Sequence, residues 1–232
     1  MIAQAEPTCE TALKPYFDDG GGRVIYLGDA REILPQLDQR FDLVLTDPPY
    51  GVSLGDKRRT NGMTKHGNEG YSFDDDRGYV EKVCVPVIEL CRDLATRTML
   101  TPGLKNLWCY PEPDALWGIY FANGAGVGRW KAFTCWQPIL CYGPTPTYNG
   151  SQPDTFATTD QAERNGHPCP KPLAVWRRIM NRIAAQTILD PFMGSGTTLV
   201  AAKLEGRSCV GIELVERFAE IAANRLSQGV LF

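Results

Sequence analysis

Apolar positions along this chain gather into short runs, separated by polar turns marked with glycine, and the runs alternate between two periods. The segments 23–27 (Arg-Val-Ile-Tyr-Leu), 41–46 (Phe-Asp-Leu-Val-Leu-Thr), 98–101, 188–189 and 209–212 (Cys-Val-Gly-Ile) are short and almost continuously apolar or β-branched. That is the pattern of strands buried on both faces. Between them lie segments of helical character at 30–37, 78–95, 172–185, 197–204 and 215–226. In 78–95 the residues Val80, Val83, Val87, Leu90, Cys91 and Leu94 recur at helical spacing, and Pro86 is placed to kink the helix. Pro172 suits a first helical turn and Gly206 a helix end. Strands alternating with helices predict an α/β fold, a mostly parallel sheet covered on both faces.

Other stretches are less decided. Segment 133–142 reads as a strand, with Pro138 marking an edge or a bulge. Segment 115–121 fits helix or strand, and 105–110 fits a strand or an irregular extension. The stretches 51–76 and 143–166 are turn-rich and without period, so they are expected to be irregular insertions at the sheet edges. Residues 1–232 are read as a single domain with 1–20 as a flexible N-terminus.

Composition narrows the class. Hydrophobic residues make up 43% and charged residues 22%, the balance of an ordinary globular domain. No run of eighteen apolar residues is present, so no membrane span is expected, and residues 1–15 do not carry the basic start and apolar core of a secretory signal. A cytoplasmic protein is expected. The eight cysteines include no C-x-x-C pair, which points to reduced, buried thiols and to no metal site. The net charge of −3 does not itself argue for a nucleic-acid partner. Two basic groups stand out all the same: Lys57, Arg58, Arg59, Lys65 and His66 in one stretch, and Arg164, Lys171, Arg177, Arg178 and Arg182 in another. Each group fits either a solvated face or a set of phosphate contacts.

Two short motifs carry the candidate chemistry. Asp47-Pro48-Pro49-Tyr50 follows the strand 41–46. An exocyclic base amine is a poor nucleophile because its lone pair is delocalised into the ring, so it needs acceptors for its hydrogens while charge gathers on nitrogen. Asp47 supplies a carboxylate, the Pro48 carbonyl held by Pro49 a second acceptor, and Tyr50 a face for a planar base. The second motif, Asp190-Pro191-Phe192-Met193-Gly194-Ser195-Gly196-Thr197-Thr198, follows the strand 188–189. Gly194 and Gly196 allow close backbone approach, and the helix that follows offers N–H groups to an anion. Glu213 closes the strand 209–212, where a carboxylate accepts hydrogen bonds from two ribose hydroxyls or complements a helix N-terminus. Asp29 ends the first strand, placed to bind an adenine amine or to cap the next helix.

On these residues the chain resembles the amino-methyltransferases of DNA that make N6-methyladenine or N4-methylcytosine. Their catalytic tetrapeptide is matched by Asp47 to Tyr50, their cofactor loop by Asp190 to Thr198, their ribose-binding acid by Gly211-Ile212-Glu213, and their adenine-contacting segment by Gly28-Asp29-Ala30. His167-Pro168-Cys169-Pro170-Lys171-Pro172 is similar to the segment that precedes the cofactor loop and closes over the methionine part. The stretches from Thr101 to Trp108 and Trp136 to Leu140 look like small phage-type members. The order of the motifs, catalytic before cofactor, resembles the circularly permuted β class.

The resemblance implies a Rossmann-like, seven-stranded sheet with one antiparallel strand, S-adenosylmethionine as cofactor, and double-stranded DNA as partner with the target base flipped out. It implies Asp29, Ala30, Asp47, His167, Lys171, Pro172, Asp190, Phe192, Gly194, Ser195, Gly196, Thr197, Thr198, Glu213 and Leu214 as cofactor-binding residues. Asp at position 47 leans toward adenine N6, with cytosine N4 as the alternative. RNA or protein-glutamine methylation, or an inactive binding module, would be consistent with parts of the pattern. A nicotinamide dehydrogenase would leave Asp47 to Tyr50 unexplained. Lys57, Arg58, Arg59, Lys65 and His66 are the candidates for DNA contact. With room for modest insertions alone, DNA selection is expected to rest on those stretches, on a homodimer or on a separate specificity partner.

Overall fold

The computed structural model describes residues 13–51, 76–124, 134–147, 152–159 and 171–228. Among them nine strands form one sheet: β1 (Phe17–Asp18), β2 (Arg23–Leu27), β3 (Phe41–Thr46), β4 (Ala95–Leu100), β5 (Ala115–Phe121), β6 (Trp136–Tyr142), β7 (Thr155–Thr158), β8 (Thr187–Asp190) and β9 (Ser208–Glu213). Their order across the sheet is β1-β2-β9-β8-β3-β4-β6-β5-β7. The inner seven, β2 to β5 in that order, hold one antiparallel member, β6, as the resemblance implies. The two additional strands extend the edges. β1 runs antiparallel to β2, so part of the segment 1–20 is ordered rather than flexible.

Alternation within the apolar strands sends neighbours to opposite faces. Leu43, Leu45, Ile188 and Cys209 join one core, Val44, Leu189 and Val210 the other. The first core is closed by α4 (Leu173–Ile183), α5 (Thr197–Leu204) and α6 (Glu216–Ser227), which supply Trp176, Ile179, Leu199, Ala202 and Ala222. The second is closed by α1 (Ala30–Ile33) and α3 (Val85–Leu94), through Ala30, Ile33, Val87 and Cys91. No disulfide joins the described cysteines, and Cys84, Cys91 and Cys209 are buried. None of the described helices is long and apolar enough to cross a membrane.

The expected kink at Pro86 takes the form of a π-turn. The short α2 (Arg77–Tyr79) runs into five π-helical residues, Val80–Cys84, before α3 begins. Val85 N–H reaches back five residues to the Val80 carbonyl. Pro86 has no N–H and its ring crowds the carbonyl four residues earlier, so widening this turn removes both conflicts.

The structure decides or corrects three points of the sequence reading. First, the undecided segment 115–121 is a strand, and 105–110 takes the irregular one of its two alternatives, overlapping a 3-10 turn, Leu104–Asn106. β6 lies inside the sheet, not at its edge. Gly118 opposite Pro138 sends its N–H away from β6 to the Asp154 carbonyl, so the Pro138 nitrogen points away from β5 as well. β4 pairs with β6 at Leu140, Cys141 and Tyr142, so the missing donor lies past the end of that ladder. Third, the stretch 143–166 contains β7, which pairs with β5.

Phe156 of β7 is fully buried against Trp117, 5.9 Å between ring centroids, with Arg182 4.3 Å and Arg178 5.5 Å from its centroid. Arg178 also donates to the Ala157 carbonyl and Arg182 to that of Pro153, while Arg177 pairs with Glu205 at 2.5 Å. Three arginines of the second basic group therefore serve internal contacts. Replacing Phe156 with Ala is expected to cost about 3–5 kcal/mol of stability, read by chemical denaturation. An unchanged midpoint would mean that β7 does not pack as described.

Candidate active site

In a parallel sheet, ligands bind beyond the carboxyl ends of the strands. β3 and β8 are neighbours there although 144 residues separate Thr46 from Asp190. Thr46 donates its hydroxyl to Asp190 Oδ1 at 2.6 Å, which joins the two strand ends directly. The two motifs, far apart in sequence, thus open on one edge.

At the end of β3, the Asp47 carboxylate is held from three sides. Its Oδ1 accepts from the Tyr50 and Thr101 hydroxyls, and its Oδ2 takes the Lys171 ammonium as an ion pair. Gln137 Nε2 donates to the Tyr50 hydroxyl. Lys171 Nζ also stands 4.9 Å from the centre of the Tyr50 ring. Burial opposes the charge on Lys171, but Asp47 and Tyr50 outweigh it and hold the ammonium above its ordinary pKa. Burial, then the Asp47 charge, raises the Tyr50 hydroxyl, which stays a neutral donor.

The turn after β4 supports this group. Thr101 N–H bonds the Thr46 carbonyl at 3.2 Å, and Asn106, buried, donates to the Tyr50 carbonyl at 2.7 Å. Gly103 has φ of +69°, and a Cβ there would lie 3.1 Å from Tyr50 Cγ, so the ring is packed against bare backbone. Thr101, Gly103, Asn106 and Gln137 were not among the predicted site residues. The available signal was their place in the stretches Thr101 to Trp108 and Trp136 to Leu140, which resemble small phage-type members without marking these residues as part of the site.

The second half of the site centres on Glu213, at the end of β9. Its Oε2 accepts from Gly194 N–H at 2.9 Å and its Oε1 from Val215 N–H at 2.8 Å. Burial pushes the carboxyl up to about 7 in spite of these donors. Gly28 N–H bonds the Glu213 carbonyl at 2.9 Å, which sets the Gly28-Asp29 turn beside it. Tyr79 also lies in the field of Asp29 and Glu213; burial leads the causes that raise its hydroxyl. Asp29 accepts from Arg31 N–H at 2.8 Å as the cap of α1 and pairs with the Arg31 guanidinium at 2.5 Å, which holds its carboxyl below the usual range.

Several expected cofactor residues face inward. Asp190 is buried, accepts from Phe192 N–H as well as Thr46, and is pushed up by burial to about 6. Thr198 accepts from Trp176 Nε1 at 2.9 Å and donates to the Leu45 carbonyl, and Ser195 and Thr197 are buried. A Cβ on Gly196 would lie 2.7 Å from that of Ala222, so this glycine admits α6. Ala30 is buried in the second core, Phe192 packs beside it, and Leu214 is exposed. Pro172 caps α4, and Lys171, expected on the cofactor, sits on Asp47. Pro48 is buried and Pro49 half-buried. His167 and the candidate DNA contacts Lys57, Arg58, Arg59, Lys65 and His66 lie outside the described residues.

Comparison with known proteins agrees with this arrangement. The family model for DNA methylases of the N6/N4 type matches residues 102–224. The type II methyltransferase M2.DpnII of Streptococcus pneumoniae is 46% identical over 252 aligned positions, covering 92% of each chain. M.SmaI of Serratia marcescens, also a type II methyltransferase, is 41% identical, covering 87% of this chain and 90% of its own. Among solved structures, an M1.HpyAVI–SAM complex superposes with a TM-score of 0.63 at 20% identity, covering 88% of this chain and 98% of the other, a likeness of fold. The chain belongs to the N6/N4 DNA methylase family.

The raised Glu213 carboxyl yields a test on the ligand-free protein. The stability carried by its neutral form is complete below the usual glutamate range and is lost as pH rises through about 7. Glu213→Gln removes the charge and turns an NH2 toward one of the two backbone donors, a cost that does not vary with pH, so the stability of the variant relative to the parent should rise by about 2–3 kcal/mol from pH 5 to pH 8. Denaturation curves with an equal difference at both pH values would contradict the assignment.

Proposed function

We propose that this chain transfers a methyl group from S-adenosylmethionine to the exocyclic N6 amine of adenine in double-stranded DNA, with the target base turned out of the duplex. The observation that carries this reading is the unequal occupancy of the Asp47 carboxylate. Oδ1 is taken by Tyr50 and Thr101, and Oδ2 is taken by the Lys171 ammonium. An amine hydrogen of the base takes the place of Lys171 on Oδ2, where a cationic donor already fits.

The residues around Glu213 fit a nucleoside. Each carboxylate oxygen spends one acceptor position on a backbone N–H and keeps further capacity for a ribose hydroxyl. The Gly28-Asp29 turn, joined to Glu213 through the Gly28 N–H, supports a place for the adenine, and the Gly194 turn offers backbone. When bound, S-adenosylmethionine supplies an electrophilic methyl group on a sulfonium. Asp47 would orient the amine, accept a hydrogen bond from its N–H, and stabilise the positive charge that gathers on nitrogen as its lone pair forms the new C–N bond while the methyl–sulfur bond breaks and its electron pair returns to sulfur, leaving a neutral thioether. The proton then leaves the nitrogen for Asp47 or solvent. Tyr50, fixed by Gln137 and Gly103, keeps Asp47 in place, and the ring face that Lys171 covers is the one offered to the base when the ammonium withdraws.

Incubation of the protein with labelled cofactor and a random duplex pool, followed by mass identification of the modified base, tests this reading. N6-methyladenine is expected, with no label in RNA or protein pools. Asp47→Ala should lower transfer by at least about a hundredfold while calorimetry shows cofactor binding retained. N4-methylcytosine would overturn the choice of base, and normal turnover by Asp47→Ala would overturn the catalytic assignment.

A further inference from the structure

The turn that supports Tyr50 carries a side chain that its internal contacts do not require. Trp108 is 87% exposed, and Leu104 on the same turn is 52% exposed. A tryptophan is among the costliest side chains to leave in water, and here it projects from a well-held turn. Asn106 binds the Tyr50 and Pro102 carbonyls through its side chain, and its own carbonyl accepts Cys109 N–H at 2.9 Å. Trp108 is two residues from Asn106, so its Cα lies within about 7 Å of that anchor. Trp108 therefore belongs to the turn that backs Tyr50, at the strand-end side of the sheet, and its side chain is left to solvent.

The chemistry around this turn matches a nucleic acid better than a protein face. Lys105 on the same turn and Arg77 at the start of α2 are exposed cations. Arg77 pairs with Glu81 at 2.8 Å and lies close enough to Cys109 to interact with it, which places it against this turn. An exposed aromatic ring beside exposed cations is the arrangement that stacks on bases while holding phosphates.

We propose that Trp108, with Leu104 beside it, is the wedge that holds the duplex open around the extruded base: the indole stacks on the base pairs that the target leaves. This rests on the reading that the substrate is a duplex base turned out into the pocket. Extrusion breaks stacking and pairing, and an apolar side chain inserted at the gap offsets that loss. The anchor through Asn106 ties the wedge to Tyr50, so opening of the duplex and positioning of the base are coupled within one turn.

The proposal separates from a structural role by the substrate it needs. Methyl transfer in a single turnover is measured for the parent, Trp108→Ala and Trp108→Phe, on a duplex bearing the site found in the random pool. A second duplex carries the same target base opposite an abasic position. Trp108→Ala is expected to lose about ten- to a hundredfold on the paired duplex and to regain most of it on the abasic one, where extrusion is nearly free. Trp108→Phe should keep most of the rate, and 2-aminopurine at the target should brighten with the parent and less with Trp108→Ala. An equal loss on both duplexes, or no loss on either, overturns the wedge. A parent protein that methylates neither duplex overturns the substrate reading itself, and the wedge with it.

Discussion

The arrangement depends on one carboxylate having two unlike oxygens. Asp47 stands at the end of a central strand, where burial makes every unmet charge costly. Two hydroxyls, from Tyr50 and Thr101, fix Oδ1, and a single ammonium, from Lys171, satisfies Oδ2. The hydroxyls come from the turn after β3 and the end of β4, next to it in the sheet, and hold the carboxylate plane. The ammonium comes from the segment leading into α4, outside the sheet. In the proposed reaction this oxygen is the one that exchanges its ammonium for the amine of the base.

The sheet makes that geometry possible. β3 and β8 lie side by side, so the catalytic and cofactor turns open on the same edge despite their order in the chain. Asp190 has an internal duty in this: buried and held up near 6, it accepts from Thr46 and ties the two strand ends together. Glu213 differs in its partners: its two oxygens accept from backbone N–H groups of the Gly194 turn and of the segment after β9, so similar residue types at similar strand ends hold different turns in place.

Much of this was legible in the sequence. Continuous apolar strands, helices of 3.6 period and the two motifs each have a local cause, so the central sheet and its cover followed from short windows, and the motifs marked the strand ends that the sheet brings together. Where the reading failed, the cause was not local. β7 is four residues long, and its reason for being a strand is Phe156, buried under Arg178, Arg182 and Trp117 from other elements. Pro138 signals an edge unless the end of β4 beside it is known. Thr101, Asn106 and Gln137 are unremarkable residue types that matter because of what stands opposite them. Lys171 was visible as a charge, but its partner, 124 residues away, was not.

The turn after β4 connects these levels, since it supplies Thr101 to Asp47, bare backbone to Tyr50 and an exposed indole to solvent. The central claim is that Asp47 Oδ2 is the exchangeable position. A crystal structure of the protein with duplex DNA and a non-reactive cofactor analogue tests it most directly. The account predicts the target amine nitrogen at hydrogen-bonding distance from Oδ2, Tyr50 and Thr101 still on Oδ1, and Lys171 withdrawn. Lys171 still seated on Oδ2, with the amine held elsewhere, would contradict it.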